Sequence, residues 1–311
     1  MTSIAVLFPG QGSQFARMAD PWTEHPVGRA TLDEASNVIG RDIVAESRDD
    51  AALSTTEFVQ PALLACDVAA YRVLEAEGVE ASAGAGHSLG EFAALVAAGV
   101  LDLPSALRAV LARGRAMQTA ADAAAGTMTA LIGAGPDDAA SIADAARGDD
   151  VLAVANENAS NQTVLSGSPT AIERAEAEAK ARGVRAIRLN VAGAFHSELM
   201  RPAVEEISAG LADAPFAAAR FLVAANVTAD LTTDGEIFRD LLTRHVVSPV
   251  RWERSMRALA EAGFVTFVEA GPGQVLSRIV KRDLPGVRAV AVGSPAEAAT
   301  FAASVRSAAA S

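Results

Sequence analysis

The chain has 311 residues, half of them apolar and 21% charged, so a sizeable packed core is expected and global disorder is excluded. Its net charge of −12 excludes a general nucleic-acid binder, because neutralising phosphates takes clustered Lys and Arg. Cys66 is the sole cysteine, which rules out an intramolecular disulfide and a cysteine-cluster metal site and leaves it an inert core position.

The first apolar run, residues 4–8, reads as a short buried strand. No basic leader and no run of membrane-spanning length accompanies it, so a cytoplasmic protein off the membrane is expected. The loop Gly10-Gln11-Gly12-Ser13 follows. Phe15 stands where a dinucleotide fingerprint needs a third small residue, and the loop has no P-loop lysine. It reads instead as backbone that approaches a ligand or another loop closely.

Residues 60–77 carry the pattern of a long apolar helix stopped at Gly78, and 81–85 lead into Gly86-His87-Ser88-Leu89-Gly90. This G-x-S-x-G pentapeptide, with a helical run after it, is the local pattern of a nucleophile elbow. The glycines permit a strained turn that presents the Ser88 hydroxyl. N–H groups at the start of the next helix then face any oxyanion formed there. Taken alone, the pentapeptide fits an idle serine in a Gly-rich turn as well.

A further helix starts at Pro104 and runs to about 121. At about 100° per residue, Arg108 and Arg115 fall within roughly 20° of each other on its polar face. Arg113 lies about 130–160° from both, on the flank shared with Val110 and Met117, where a charge needs a partner.

Residues 127–189 alternate as strand 127–132, helix 136–147, strands 151–155 and 163–166 around a turn-rich 156–161, helix 169–182 and strand 184–189. That order is βαββαβ, a ferredoxin-like unit. The loop Gly193-Ala194-Phe195-His196-Ser197 comes next, then a helix to about 212 and a strand near 221–225. Helices around 236–245 and 251–262, a strand 265–269, a helix before Arg282 and a strand 287–292 complete the pattern, with an Ala-rich tail helical or frayed. The fold class is therefore α/β with a mainly parallel sheet. A large domain of residues 1–125 and 192–311 receives a small ferredoxin-like domain, 126–191.

A serine nucleophile needs a base, and the chain has four histidines. His87 is next to Ser88 and reads as elbow packing. His25 lies in a loop, and His245 ends a predicted helix, where a cation complements the dipole. His196 is the best base by elimination. No carboxylate stands where the order Ser…Asp…His would put a third member, so the reading is a Ser–His dyad with a backbone carbonyl orienting the imidazole.

Six motifs then occur in order: FPGQGSQ near the start, QPAL at 60–63, GHSLGE at 86–91, RGRAMQ at 113–118, GAFHS at 193–197 and EAGPGQVL at 269–276. Together they resemble the malonyl-CoA:acyl carrier protein transacylases over nearly the whole chain. The resemblance implies an α/β-hydrolase-like large domain with the ferredoxin-like insert. It implies Ser88 as nucleophile, His196 as base and an oxyanion hole from the N–H groups of Gln11 and Leu89. Arg113 matches the malonate-binding arginine, and Phe195 the malonyl-selecting position. Ser248-Pro249-Val250-Arg251-Trp252 matches the segment whose carbonyl orients the histidine, with Arg251 replacing a glutamine of some relatives.

The implied activity is malonyl transfer from malonyl-CoA to acyl carrier protein for fatty acid synthesis. Coenzyme A thioester and carrier phosphopantetheine are substrates, the carrier is a transient partner, the enzyme is a monomer, and no cofactor or metal is permanently bound. Alternatives are a serine hydrolase or thioesterase, a polyketide-serving acyltransferase, and a non-catalytic binding module. Carrier docking needs a local basic surface, for which Arg182, Arg185 and Arg188 or Lys281-Arg282 are the sequence candidates, each also readable as ordinary solvated charge.

Overall fold

A computed structural model describes residues 3–310. Its strands are β1 (Ile4–Phe8), β2 (Ala83–Gly86), β3 (Thr127–Ile132), β4 (Leu152–Ala159), β5 (Gln162–Gly167), β6 (Arg185–Arg188), β7 (Leu222–Ala224), β8 (Leu231–Thr232), β9 (Thr266–Ala270) and β10 (Arg288–Val292). One sheet runs β10-β9-β1-β2-β7-β8 and is parallel except for β8, which turns back antiparallel on β7. The other runs β4-β5-β3-β6 and is antiparallel throughout. The α/β class with a mainly parallel sheet is thus what the chain adopts.

Side chains alternate across a strand, so each β1 residue commits to one face of the large sheet. Ile4, Val6 and Phe8 join the core formed with the helices Thr56–Ala76, Gly90–Ala97 and Leu103–Ala123. Ala5 and Leu7 face the opposite layer, where Trp252, Met256, Leu276 and Val280 project from the helices Trp252–Glu261 and Val275–Asp283. Burial on both faces explains why β1 and β9 are buried along their whole lengths.

The small sheet packs one face on its own helices, Pro136–Arg147 and Pro169–Ala181, through Leu131, Ile142, Leu165 and Ile172. Met128, Ala130 and Val164 on its other face belong to the main core. The two sheets therefore share a hydrophobic contact, and the region between them is where a ligand can be enclosed.

Several boundaries differ from the sequence pattern. Residues 156–159, read as turn, continue β4 to Ala159 across bulges. Asn156 and Glu157 are polar yet buried because this half of β4 is stitched to the segment around Val250. Glu157 N–H donates to the Val250 carbonyl at 2.8 Å, and Val250 N–H donates to the Ala155 carbonyl at 2.9 Å. The helix Thr56–Ala76 starts four residues early and holds Pro61 inside it. The edge strand β8 carried no recognisable signal, and the Ala-rich tail is a helix, Pro295–Ala310. Among the described residues no helix is long and apolar enough to cross a membrane.

Ile172 is fully buried in the small-sheet core, whereas Ile187 on β6 is 39% exposed. Ile172→Ala is expected to cost about 2–5 kcal/mol in urea unfolding, and Ile187→Ala less than about 0.5 kcal/mol. Equal losses would contradict the packing described.

Candidate active site

Strand β2 ends at Gly86, and the chain reverses through Ser88 into the helix Gly90–Ala97. Ser88 has φ 51, a left-handed conformation that a non-glycine residue adopts at a cost of about 1–3 kcal/mol. The flanking glycines make the turn possible, since a Cβ on Gly86 would collide with the Gly90 carbonyl. A Cβ on Gly10 would likewise strike the His87 carbonyl, so the first loop does lie directly against the elbow. Asn226 clamps the turn from outside. Its Oδ1 accepts from Ser88 N–H at 2.8 Å, and its Nδ2 donates to the Gly86 carbonyl at 2.7 Å.

Ser88 Oγ lies 2.8 Å from His196 Nε2. The other ring nitrogen, Nδ1, faces the main-chain carbonyls of His245 at 3.0 Å and Ser248 at 3.1 Å. Carbonyls only accept, so the ring proton resides on Nδ1 and Nε2 is left to accept from the Ser88 hydroxyl. Burial, followed by the positive charge of Arg113, pushes the imidazole down to about 3, so it is neutral at neutral pH.

Arg113 projects from the helix Leu103–Ala123 and is 1% exposed, while Arg108 and Arg115 on the same helix are exposed. Its Nη1 donates to Gln60 Oε1 at 2.6 Å and its Nη2 to Ser88 Oγ at 3.1 Å. Nε has no acceptor among the described residues. Burial lowers the guanidinium to about 10, with Glu91 acting in the opposite sense, so it stays charged. Glu91 does not cancel that charge. Burial raises its carboxyl to about 8, which leaves it mostly protonated at neutral pH.

Gln11, Ser88, Arg113, Phe195 and His196 line one cavity of about 290 Å³, closed on the small-sheet side by Asn156 and Leu189. Leu89 is not part of its wall. The Leu89 side chain is buried, and its N–H stands at the start of the helix next to Ser88. Among the described residues neither Leu89 N–H nor Gln11 N–H meets an acceptor. The arrangement can generate an alkoxide at Ser88 beside an unpaired buried cation, with free N–H donors close by. No three His, Cys, Asp or Glu side chains among the described residues gather as metal ligands.

The remaining histidines are placed elsewhere. His87 turns to Asn158, 2.8 Å away, and against Trp252. His25 caps the helix Pro26–Ile39 by accepting from Val27 N–H. His245 corrects the sequence reading. It is fully buried rather than a solvated helix-end cation, and burial holds it neutral. Of the basic clusters, Arg182 pairs with Glu178, Arg188 with Glu176, and Arg282 with Asp283. Sequence reasoning gave no role to Gln60, Glu91 or Asn226. Gln60 and Glu91 fall inside quoted motifs, but Asn226 lies 138 residues from its partner Ser88 without any local pattern.

The acyl transferase domain model matches residues 6–305. The malonyl CoA-acyl carrier protein transacylase of Escherichia coli (strain K12) is 40% identical over 300 residues, covering 95% of this chain and 97% of the relative. The solved transacylase of that name from Coxiella burnetii superposes with a TM-score of 0.94 at 34% identity, over 97% of each chain. A malonyl-transacylase solved in complex with a type II PKS acyl-carrier protein gives a TM-score of 0.93 at 35% identity, over 97% of this chain and all of that one. With a family match over nearly its full length and relatives alike in sequence and fold, the chain belongs to the acyl transferase family.

Proposed function

We propose that the chain transfers a malonyl group from malonyl-CoA to the phosphopantetheine thiol of an acyl carrier protein, through a malonyl ester on Ser88. The observation that carries this reading is Arg113, a buried guanidinium 3.1 Å from Ser88 Oγ with no carboxylate partner among the described residues. A planar guanidinium suits a carboxylate through paired N–H donors. An acyl group with a free terminal carboxylate supplies that partner, and malonyl is such a group. The names of the relatives, and the carrier protein bound to one of them, support the same substrates.

In the first half-reaction His196 Nε2 takes the Ser88 proton as Oγ attacks the thioester carbonyl. The N–H groups of Gln11 and Leu89 receive the oxyanion. The C–S bond breaks, and the proton passes from His196 to the departing coenzyme A sulfur. In the second, His196 takes the proton of the carrier thiol, whose sulfur attacks the ester. Ser88 leaves and regains a proton. When the substrate carboxylate meets Arg113, one of the two main influences depressing His196 is offset, so the base strengthens with the correct acyl group in place.

Phe195, 7% exposed in the cavity wall, limits the room beside the acyl chain and favours malonyl over a branched homologue. Residues 126–191 act as an inserted domain closing the site over the body formed by 1–125 and 192–311. A single copy of the chain provides every group named. Coenzyme A and phosphopantetheine enter as substrates, and no step calls on a resident cofactor. Fatty acid synthesis is the process this transfer would supply.

Intact-mass spectrometry after mixing with malonyl-CoA should show a malonyl adduct on Ser88 that a carrier thiol discharges. Rapid release of free malonate without a carrier would identify a hydrolase instead. Arg113→Ala is expected to cost about 2–5 kcal/mol in kcat/KM for malonyl-CoA, comparable to removing one partner of a buried charge pair. An unchanged kcat/KM would refute the carboxylate clamp. Because His196 is depressed to about 3, the acid limb of Ser88 modification by a fluorophosphonate should lie well below pH 6.5. A limb centred near 6.5 would show that the imidazole is not held down in this way.

A further inference from the structure

Glu91 is fully buried in the first turn of the helix that follows the elbow, and no step above uses it. Its two oxygens face in different directions. Oε1 accepts from the main-chain N–H of Asn226 at 2.8 Å, and Oε2 lies 3.4 Å from His245 Nδ1. Asn226 is the residue whose side chain holds the Ser88 N–H and the Gly86 carbonyl. His245 is the residue whose main-chain carbonyl accepts from His196 Nδ1, and its ring stands 5.1 Å from the His196 ring. All three side chains are buried, at 0 or 1% exposed.

We propose that Glu91 is a positioning residue for both members of the Ser88–His196 pair, acting through Asn226 on the elbow and through His245 on the carbonyl that orients the base. The elbow and the base loop come from parts of the chain more than a hundred residues apart. Both are strained, Ser88 at φ 51 and His196 at φ 57, so neither conformation is self-supporting. A 2.8 Å contact between two strained loops needs a common reference, and the Glu91 carboxyl is in contact with the residues that anchor each. Its protonated state fits the task. The neutral carboxyl accepts from Asn226 N–H and stands 3.4 Å from the neutral His245 Nδ1, a contact that is not a hydrogen bond in this structure, and it adds no anion to compete for Arg113.

The proposal rests on Ser88 being the acylated nucleophile, and the test separates the two claims. The rate of Ser88 modification is measured with malonyl-CoA and with a fluorophosphonate, which reports the serine–histidine pair without involving Arg113. Glu91→Gln keeps an acceptor for Asn226 N–H and a donor toward His245, whereas Glu91→Met fills similar volume with neither. The Met variant is expected to lose about 10- to 100-fold with both reagents, with KM for malonyl-CoA within about twofold of wild type. The Gln variant should stay within about threefold. Should Glu91→Met fail to give a wild-type circular dichroism spectrum, Asn226→Ala, which releases the elbow directly, is held to the same expected loss. A folded Met or Asn226→Ala variant reacting at the wild-type rate would overturn the proposal, as would equal losses in the Gln and Met variants. Wild-type protein that reacts with fluorophosphonate but not with malonyl-CoA would instead refute the substrate reading and leave the positioning role standing.

Discussion

A guanidinium buried without a counter-ion is expensive, because its lost hydration amounts to several kcal/mol unless other groups replace it. Arg113 is such a group, and much of the surrounding architecture follows from keeping it both charged and available. It is carried on a long helix that packs against the helix Thr56–Ala76, which brings Gln60 within 2.6 Å of its Nη1. The neutral amide satisfies one donor without cancelling the charge. The nearby carboxyl of Glu91 is kept mostly protonated by its own burial, so it leaves the positive field intact. The same field helps hold His196 neutral. This one buried cation thereby joins burial in holding His196 neutral and would, on the proposed function, favour an acyl group that ends in a carboxylate.

The Ser88 turn depends on a second constraint, close backbone approach. Strand β2 is Ala-Gly-Ala-Gly, and the loop after β1 runs directly beneath the elbow because Gly10 lacks a Cβ. The parallel sheet places the ends of β1 and β2 side by side, so Gln11 and Ser88 open into one cavity although 77 positions separate them in sequence. The small sheet contributes a wall to that cavity and none of the proposed catalytic groups.

A large part of this is legible in short stretches of the sequence. The elbow is a contiguous motif, Arg113 is singled out by helical angle alone, and His196 emerges because the chain has only four histidines. The βαββαβ order was legible for the same reason, since each element carries its own periodicity. What the sequence withheld are groups defined by distant partners. Asn226 looks like any loop asparagine until the fold brings it to Ser88. His245 looks like a helix-end cation until burial removes its charge. Asn156-Glu157-Asn158 has the composition of a turn, yet it continues β4 beside β5, and backbone bonds to Val250 hold it from the other side. In each case part of the residue's environment is built by chain well outside its own element.

The stitching of β4 to Val250 has a mechanical side. Val250 lies two residues beyond Ser248, whose carbonyl accepts from His196 Nδ1, and two before Trp252, against which His87 packs. The five-residue segment 248–252 is therefore at once bonded to β4 and in contact with the rings of both His196 and His87. Separating β4 from Val250 would load this segment and, with it, the Ser248 carbonyl. A molecule that pried β4 away from Val250 would thereby slacken the hold on the His196 ring.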